Sequence, residues 1–461
     1  MARPPRQLLG VQGSAASDRP RGLLGGGMPP SARVAFRNEL STTFFFAVTL
    51  AAVEGGIAAA YAKNTFAGVA PERMLNFVVA MIGSAPEFAN ILSFIWLSAA
   101  HAKPKVPVVN SLQLAVVLSV AALALATVSP LGLAVSALLM LLARVCWSGI
   151  ITIRPTLWRA NYPREHRAWA VGRFSTVQTL TVALAGMGIG LLLDQSPKNY
   201  LAVAPACAAV GVIAVLVTRR LRVRRQRAML RAEVDGPPVG RPWQGPAIVW
   251  RVLRKDRYFA LFMGCMFTLG LGNLMLMPMM VIALKDQFGA TYTQSILVTT
   301  TIPYILMPMA IPLWTRLLDR AHVVKFRSIH SWVFALSTAL FALGVGLHRI
   351  ELLFVAAVVH GIGFGGGTLA WNLGHVDFAP PSQTSQYMAT HVTLNGVRGL
   401  IGPLLAVFLY EQARRHGLSE RIGATAVLSL STTLCVLGAT GFILLRRAMG
   451  SAASAAKRTA A

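Results

Sequence analysis

Five ionisable side chains stand inside long apolar runs of this sequence: Glu54, Glu87, Arg144, His360 and Arg398. A charge at membrane depth loses its hydration and needs a partner, water or a solute in return, so each of the five marks a candidate functional site. Glu54 and Arg144 could form a pair that opens and closes during a conformational change. Burial favours the protonated carboxylate and a nearby guanidinium favours the ionised one, so such a pair could take up and release a proton. A static ion pair bracing the fold is the structural alternative, and Glu87 admits the same two readings. Arg398 stands between glycines in Asn395-Gly396-Val397-Arg398-Gly399. It reads as an anion contact, a gate, or a donor to nearby exposed carbonyls.

His360 opens the run His360-Gly361-Ile362-Gly363-Phe364-Gly365-Gly366-Gly367. The run contains Gly-x-Gly-x-x-Gly, but no strand precedes it. Nucleotide binding is therefore not expected, and the glycines read as sites of close packing or bending. His360 itself is either a cavity group or a satisfied core histidine. Further on, Asn372, His375 and Asp377 stand where a gate or a helix cap could form. Methionines gather at Met263, Met266, Met275, Met277, Met279 and Met280, with Asn273 among them. They suit packing or a soft apolar wall for varied guests, and thioethers could also pass Cu(I). The candidates for coupling or ion pairing are thus Glu54, Glu87 and Arg144. Those for a solute cavity are Trp147, Asn273, Met275, Met277, His360, Asn372 and Arg398.

The elements that carry these residues follow from composition. Of 461 residues, 55% are hydrophobic and 13% charged, against about 25% charged in an ordinary soluble domain. Many apolar runs approach ~20 residues, the length of a membrane helix, and lack the ~10-residue alternation of barrel strands. Six candidate spans precede the basic stretch from Thr218 to Asp256 and six follow it. The expected division is a disordered basic tail at 1–37, a six-helix bundle at 38–218, a basic linker at 219–257, a second bundle at 258–447 and a tail at 448–461. The formal net charge is +27, and most of the 43 Lys and Arg fall on one side of the expected membrane. That asymmetry orients a multi-pass protein with both termini cytoplasmic in the inner, cytoplasmic membrane and attracts anionic lipid; it does not call for nucleic acid. Cys146, Cys207, Cys265 and Cys435 lie inside apolar runs and read as small buried hydrophobes, with no metal site or cofactor expected.

The two halves resemble each other. Lys63-Asn64-Thr65-Phe66-Ala67-Gly68 follows the first span and Lys285-Asp286-Gln287-Phe288-Gly289-Ala290 the seventh. Pro86 matches Pro303, and Asn161-Tyr162-Pro163 matches Asp377-Phe378-Ala379-Pro380. Each match has nearly the same offset, as parallel repeats require.

Six spans, a basic linker and six related spans resemble the major facilitator superfamily of secondary transporters. Its signature loop Gly-x-x-x-Asp-Arg-x-Gly-Arg-Arg is matched in part by Trp314-Thr315-Arg316-Leu317-Leu318-Asp319-Arg320 with Lys325 and Arg327. The first copy, His101-Ala102-Lys103-Pro104-Lys105, keeps the bases and lacks the acid. Arg144-Val145-Cys146-Trp147-Ser148-Gly149 is similar to the Arg-Gly pattern of family antiporters. The Gly-Pro motif expected in the fifth span is missing there, while Gly399-Leu400-Ile401-Gly402-Pro403 appears in the eleventh. The resemblance implies an all-α membrane protein of two pseudo-symmetric six-helix bundles that rock about a central cavity. Spans 1, 4, 7 and 10 would line it, spans 2, 5, 8 and 11 would form the gating seams, and Asp319, Arg320 and Asp377 would sit at a cytoplasmic gate. The expected function is alternating-access transport of a small solute, coupled to a proton, by a monomer. Two alternatives stay open. One is an integral-membrane enzyme acting on lipid-linked substrates, for which His375, Asp377 and His391 are the best cluster. The other is a Met- and His-lined copper transporter.

Overall fold

The computed structural model describes residues 28–235, 245–318, 320–375, 377–380 and 383–460. Twelve helices among them are long and apolar enough to cross a membrane: Ala32–Thr65, Glu72–Leu92, Lys105–Leu125, Pro130–Asn161, Trp169–Gln195, Pro197–Thr218, Arg257–Asp286, Tyr292–Leu318, Val323–Gly346, Ile350–Asn372, Gln386–Arg415 and Glu420–Ser451. They are numbered one to twelve in this order. Helix starts use the expected local chemistry. Ser129 caps the fourth span by accepting from the Gly132 amide, and Asp256 caps the seventh through Phe259. Thr291 and Gln294 form a reciprocal capping box at the eighth. Gly68 and Gly289 hold the turns after the first and seventh spans with φ of 76° and 57°, a backbone region that glycine enters freely.

The spans form two bundles with one repeated neighbour pattern. The first span packs on the sixth as the seventh packs on the twelfth; the third packs on the fourth and sixth as the ninth packs on the tenth and twelfth. Two seams join the bundles, second against eleventh and fifth against eighth. Leucines such as Leu118, Leu138, Leu184, Leu336 and Leu437 stay exposed on the outer surface, where a bilayer rather than water would cover them.

Three spans that reach the centre are irregular. The first breaks between Ala51 and Gly55, leaving Glu54 extended at the start of a second helical segment. The second tightens into a 3-10 turn at Ala89–Leu92 just after Pro86. The eighth widens into a π-helical turn at Leu297–Thr301 just before Pro303. Proline removes an amide donor and crowds the preceding turn, which accounts for the widened turn before Pro303. Unpaired backbone at membrane depth is stable only against protein or a polar cavity.

Several edges differ from the expectation. The first helix starts at Pro30, inside the stretch read as a tail, because Ala32 and Phe36 are buried. Residues 1–27 of that tail lie outside the described residues. The linker carries two helices, Gln226–Val234 and Gly245–Lys255, with 236–244 outside the described residues. The last helix runs to Ala460, through the stretch read as a C-terminal tail.

Candidate functional site

Two adjoining cavities lie between the bundles. The first, about 140 Å³, is lined by residues that include Glu54, Glu87, Asn273, Met277, Tyr304 and His360. The second, about 290 Å³, is lined by residues that include Glu87, Asn90, Asn273, Arg327, Trp371 and Arg398. Glu87, Asn273, Leu274 and Phe364 line both, so the two are compartments of one vestibule.

Glu54 occupies the break in the first span. One carboxylate oxygen accepts from the Arg144 guanidinium at 2.9 Å and the other from the Tyr304 hydroxyl at 2.7 Å. Arg144 belongs to the same bundle and Tyr304 to the opposite one, so a single carboxylate bridges both. The Arg144 and Glu54 side chains are only 6% and 12% exposed. At that burial, separating the pair strands a charge at a cost of about 3–5 kcal/mol unless water or a proton replaces the partner. Gly55 and Gly56 permit the close approach that the break creates. A Cβ on Gly56 would fall 2.3 Å from Thr300 Oγ1 and 2.9 Å from Thr299 Oγ1 on the eighth span. Gly56→Ala is therefore expected to wedge the first span away from the eighth. Overpacking of this kind costs about 1–3 kcal/mol, so the sealed arrangement should lose about one to two orders of magnitude in population. Spin-label distances across this seam check it, and Thr300→Ala in the same chain should restore part of the wild-type distance.

The other expected residues fall into three groups. Glu87, Asn273, Met277, His360 and Arg398 reach the vestibule. Glu87 accepts from Asn395 Nδ2 at 2.9 Å, and Asn395 Oδ1 accepts from Arg398 at 2.6 Å, so one amide stands between acid and base. His360 meets Ser337 Oγ at 3.0 Å through Nδ1. Met275 and Trp147 do not line the vestibule: Met275 is fully buried, and Trp147 packs on Phe46 at 5.6 Å between ring centroids. Asn372 is exposed and donates to the Thr368 carbonyl. Of the residues expected at a gate, Asp377 caps the ninth span by accepting from the Val323 amide at 2.7 Å. Arg320 is exposed and Asp319 lies outside the described residues. His391 and His375 are buried, and burial holds the His375 imidazole below its ordinary range, which keeps it neutral near neutrality. Among the described residues no group of three or more His, Cys, Asp or Glu could hold a metal ion.

Functional residues outside that set are as informative. The face opposite the termini is latched across the bundles. Lys63 Nζ lies 2.7 Å from Asp286 and donates to Asn76 at 2.7 Å; Asn76 in turn donates to Glu411 at 2.7 Å, and Arg414 pairs with Glu72 at 2.9 Å. At the same level Asp194 accepts from the amides of Tyr292 and Thr293, placing a carboxylate at the N-terminus of the eighth span, where the helix dipole favours negative charge. No ion pair among the described residues joins the bundles on the face that carries the termini. Charges there work within a bundle. Glu39 receives bonds from Trp158 and from Tyr162 (2.8 Å), beside Arg154. Burial and Glu39 raise the Tyr162 phenol above its ordinary range, so it stays protonated and donates. The loop after the second span, which lacks its own acid, receives one from the linker: Glu233 accepts from Lys105 Nζ at 2.6 Å and from the Ala102 amide at 2.9 Å.

The sequence signals for these residues were of unequal strength. Lys63 and Asp286 stood in the matched segments that revealed the repeat, but a lysine at a span end also suits an interfacial anchor. Tyr304 is not an ionised group, and the search for charges passed over it. Arg327 falls among the bases matched to the signature loop, but the ninth span begins at Val323 and draws Arg327 inside, 3% exposed.

Two six-helix bundles thus enclose a polar vestibule that is sealed on one face. The sequence model of the Major Facilitator Superfamily matches residues 262–458. A comparison with curated proteins gives no match. Among solved structures the chain resembles the nucleoside transporter NupG (16% identity, 89% of this chain and 99% of that one, TM-score 0.64). It also resembles the POT family transporter PepTSo (13%, 90% and 98%, 0.65) and a D-xylose-proton symporter (11%, 88% and 96%, 0.62). The whole chain thus shares the fold of these transporters, the sequence of its second half matches the Major Facilitator Superfamily model, and its twelve apolar helices make it a multi-pass membrane protein.

Proposed function

We propose that the protein moves a small solute across the cytoplasmic membrane by alternating access, coupled to a proton through Glu54. The observation that carries this proposal is the position of Glu54: buried at a helix break, facing the vestibule, and held at once by Arg144 in its own bundle and Tyr304 in the other. A proton on Glu54 removes the charge that holds Arg144 and weakens the bond that the carboxylate accepts from Tyr304 in the opposite bundle, and so alters how firmly the two bundles join at this level. A solute entering the vestibule meets the same carboxylate, which links its binding to the proton. The basic linker and the arginine-rich ends of the spans support a cytoplasmic termini face; on that reading the latched face is the outer one and the arrangement is closed outward.

The test is uptake into proteoliposomes under an imposed pH gradient with the membrane potential held at zero. The panel takes in nucleosides, peptides, sugars and organic acids, the first three suggested by the printed names of the structural neighbours. One proton carried per solute predicts about a tenfold concentration ratio for each unit of pH difference. A solute that equilibrates across the membrane but never accumulates would make the protein an uncoupled facilitator. The copper alternative rests on the methionines; of these Met277 and Met280 reach the first cavity and Met266 the second. Thioethers in an apolar wall suit a deformable surface for an apolar solute.

A further inference from the structure

We propose that the second compartment of the vestibule is an anion subsite built by Arg327 and Arg398, and that the solute is an organic anion: a carboxylate on a flat apolar body. This rests on the transport reading above and names the class of solute. Both guanidiniums line the same cavity. Neither forms an ion pair among the described residues, whereas the other buried Lys and Arg do: Lys63 with Asp286, Lys105 with Glu233, Arg144 with Glu54, and Arg154 with Glu39. The one acid on this compartment, Glu87, is turned to Asn395. Asn395 spends its amide nitrogen on Glu87 and its oxygen on Arg398, which separates the acid from the guanidinium. Arg327 is 3% exposed, its Nε has no hydrogen-bond partner among the described residues, and its Nη1 lies 3.4 Å from His330 Nδ1. The Nε of Arg398 is likewise buried without a partner.

The compartment is shaped to present these groups. Gly270 on the seventh span lies under the Arg398 guanidinium, and a Cβ there would fall 2.1 Å from one of its nitrogens. That glycine lets the guanidinium lie flat against the seventh span and donate to the Met266 carbonyl. A buried guanidinium at Arg327 and a half-buried one at Arg398, neither paired with a carboxylate, are costly to maintain. A planar fork of donors matches a carboxylate or phosphate oxyanion in two-point geometry. Phe334, Phe364 and Trp371 complete the wall, and flat rings favour a flat apolar body with edge or face contacts. His391 stands behind Trp371, ring centroids 5.6 Å apart, with both ring nitrogens buried and unpartnered. A solute with one anionic end and one aromatic end satisfies both parts of the compartment; a sugar or a cation satisfies neither.

The test is equilibrium binding to the purified full chain in neutral detergent, with indole-3-acetate, its neutral amide and inorganic phosphate as probes. The acid is expected to bind about tenfold or more tightly than the amide, the range for hydrogen bonds to a charged group. Inorganic phosphate, which lacks the apolar body, should bind more weakly than the acid. Arg327→Gln and Arg398→Gln should each erase the preference for acid over amide. Where an arginine variant does not fold, Gly270→Ala provides the second arm: it keeps both charges but displaces the fork, and the preference for the acid should shrink. Equal binding of acid and amide overturns the proposal, as does an acid preference that survives in the folded arginine variants, or phosphate binding as tightly as the acid. Binding needs no gradient, so this outcome is separate from coupling. Acid-selective binding without accumulation would remove the proton and leave the subsite. Proton-driven accumulation of solutes that show no acid preference would remove the subsite and leave the coupling.

Discussion

Glu54→Gln is expected to abolish accumulation driven by a pH gradient while leaving exchange of solute across the membrane. Glutamine is nearly the same size and neutral like the protonated acid: its oxygen can accept from Arg144 and its amide can donate to the Tyr304 hydroxyl oxygen, which keeps the wall of the cavity while leaving the Arg144 charge without a counter-ion. It cannot carry a proton on and off. In wild type, one unit of pH difference is worth about 1.4 kcal/mol per proton, hence about a tenfold solute ratio. In the variant the ratio should fall to unity, with counterflow of labelled solute continuing. A companion substitution, Tyr304→Phe, removes only the bond from the opposite bundle. It should weaken coupling while Arg144 still holds the carboxylate, because Arg144 lies in the same bundle as Glu54. Full accumulation by Glu54→Gln would mean that the proton travels elsewhere, with Glu87 the next carboxylate on the vestibule.

Lys63→Met should produce the largest change in conformation. Lys63 is 1% exposed and stands at the centre of the outer latch, with Asp286, Asn76 and Glu72 as partners. Methionine keeps the length of the side chain and removes its charge. In the closed arrangement Asp286 would then be buried without its cation, at about 3–5 kcal/mol. When the outer face opens, water reaches the same groups and the penalty disappears. The loss therefore falls on the closed state alone, and should move the balance towards outward opening by about two to four orders of magnitude. Labelling of a cysteine placed on the vestibule wall by a reagent confined to the outer side should speed up accordingly. Unchanged labelling in a folded variant would show that the paired arms at Arg414 and Asp194 hold the face shut without Lys63.

The helical class, the twelve spans and the doubled plan were legible because hydrocarbon tolerates few backbone solutions, and each span must repeat the same apolar length. The vestibule was half legible. Charges in apolar runs announce themselves, and Glu87, His360 and Arg398 reach the cavity, while Glu54 was found beside Arg144. What stayed hidden depends on neighbours distant in the chain. Tyr304 matters because the π-helical turn before it brings the eighth span to Glu54, 250 positions away. Met275 and Met277 are two positions apart and so point to different sides of one helix; only packing shows that Met277 faces the cavity and Met275 the core. Arg327 reads as a loop base because a helix start rich in bases carries no sharp boundary signal, yet the ninth span begins at Val323 and takes Arg327 inside. Glu233 could not be tied to the loop after the second span at all, because a linker's docking site leaves no periodic trace in its own sequence.

The central claim is that the proton on Glu54 and the joining of the two bundles are one equilibrium. The most direct measurement is the distance between spin labels placed at the outer ends of the fifth and eighth spans, followed as a function of pH in wild type and in Glu54→Gln. The account predicts a population shift between two distances in wild type, with a midpoint set by a single proton, and a distribution in Glu54→Gln that stays fixed across the same pH range. A wild-type shift that persists unchanged in Glu54→Gln would contradict it.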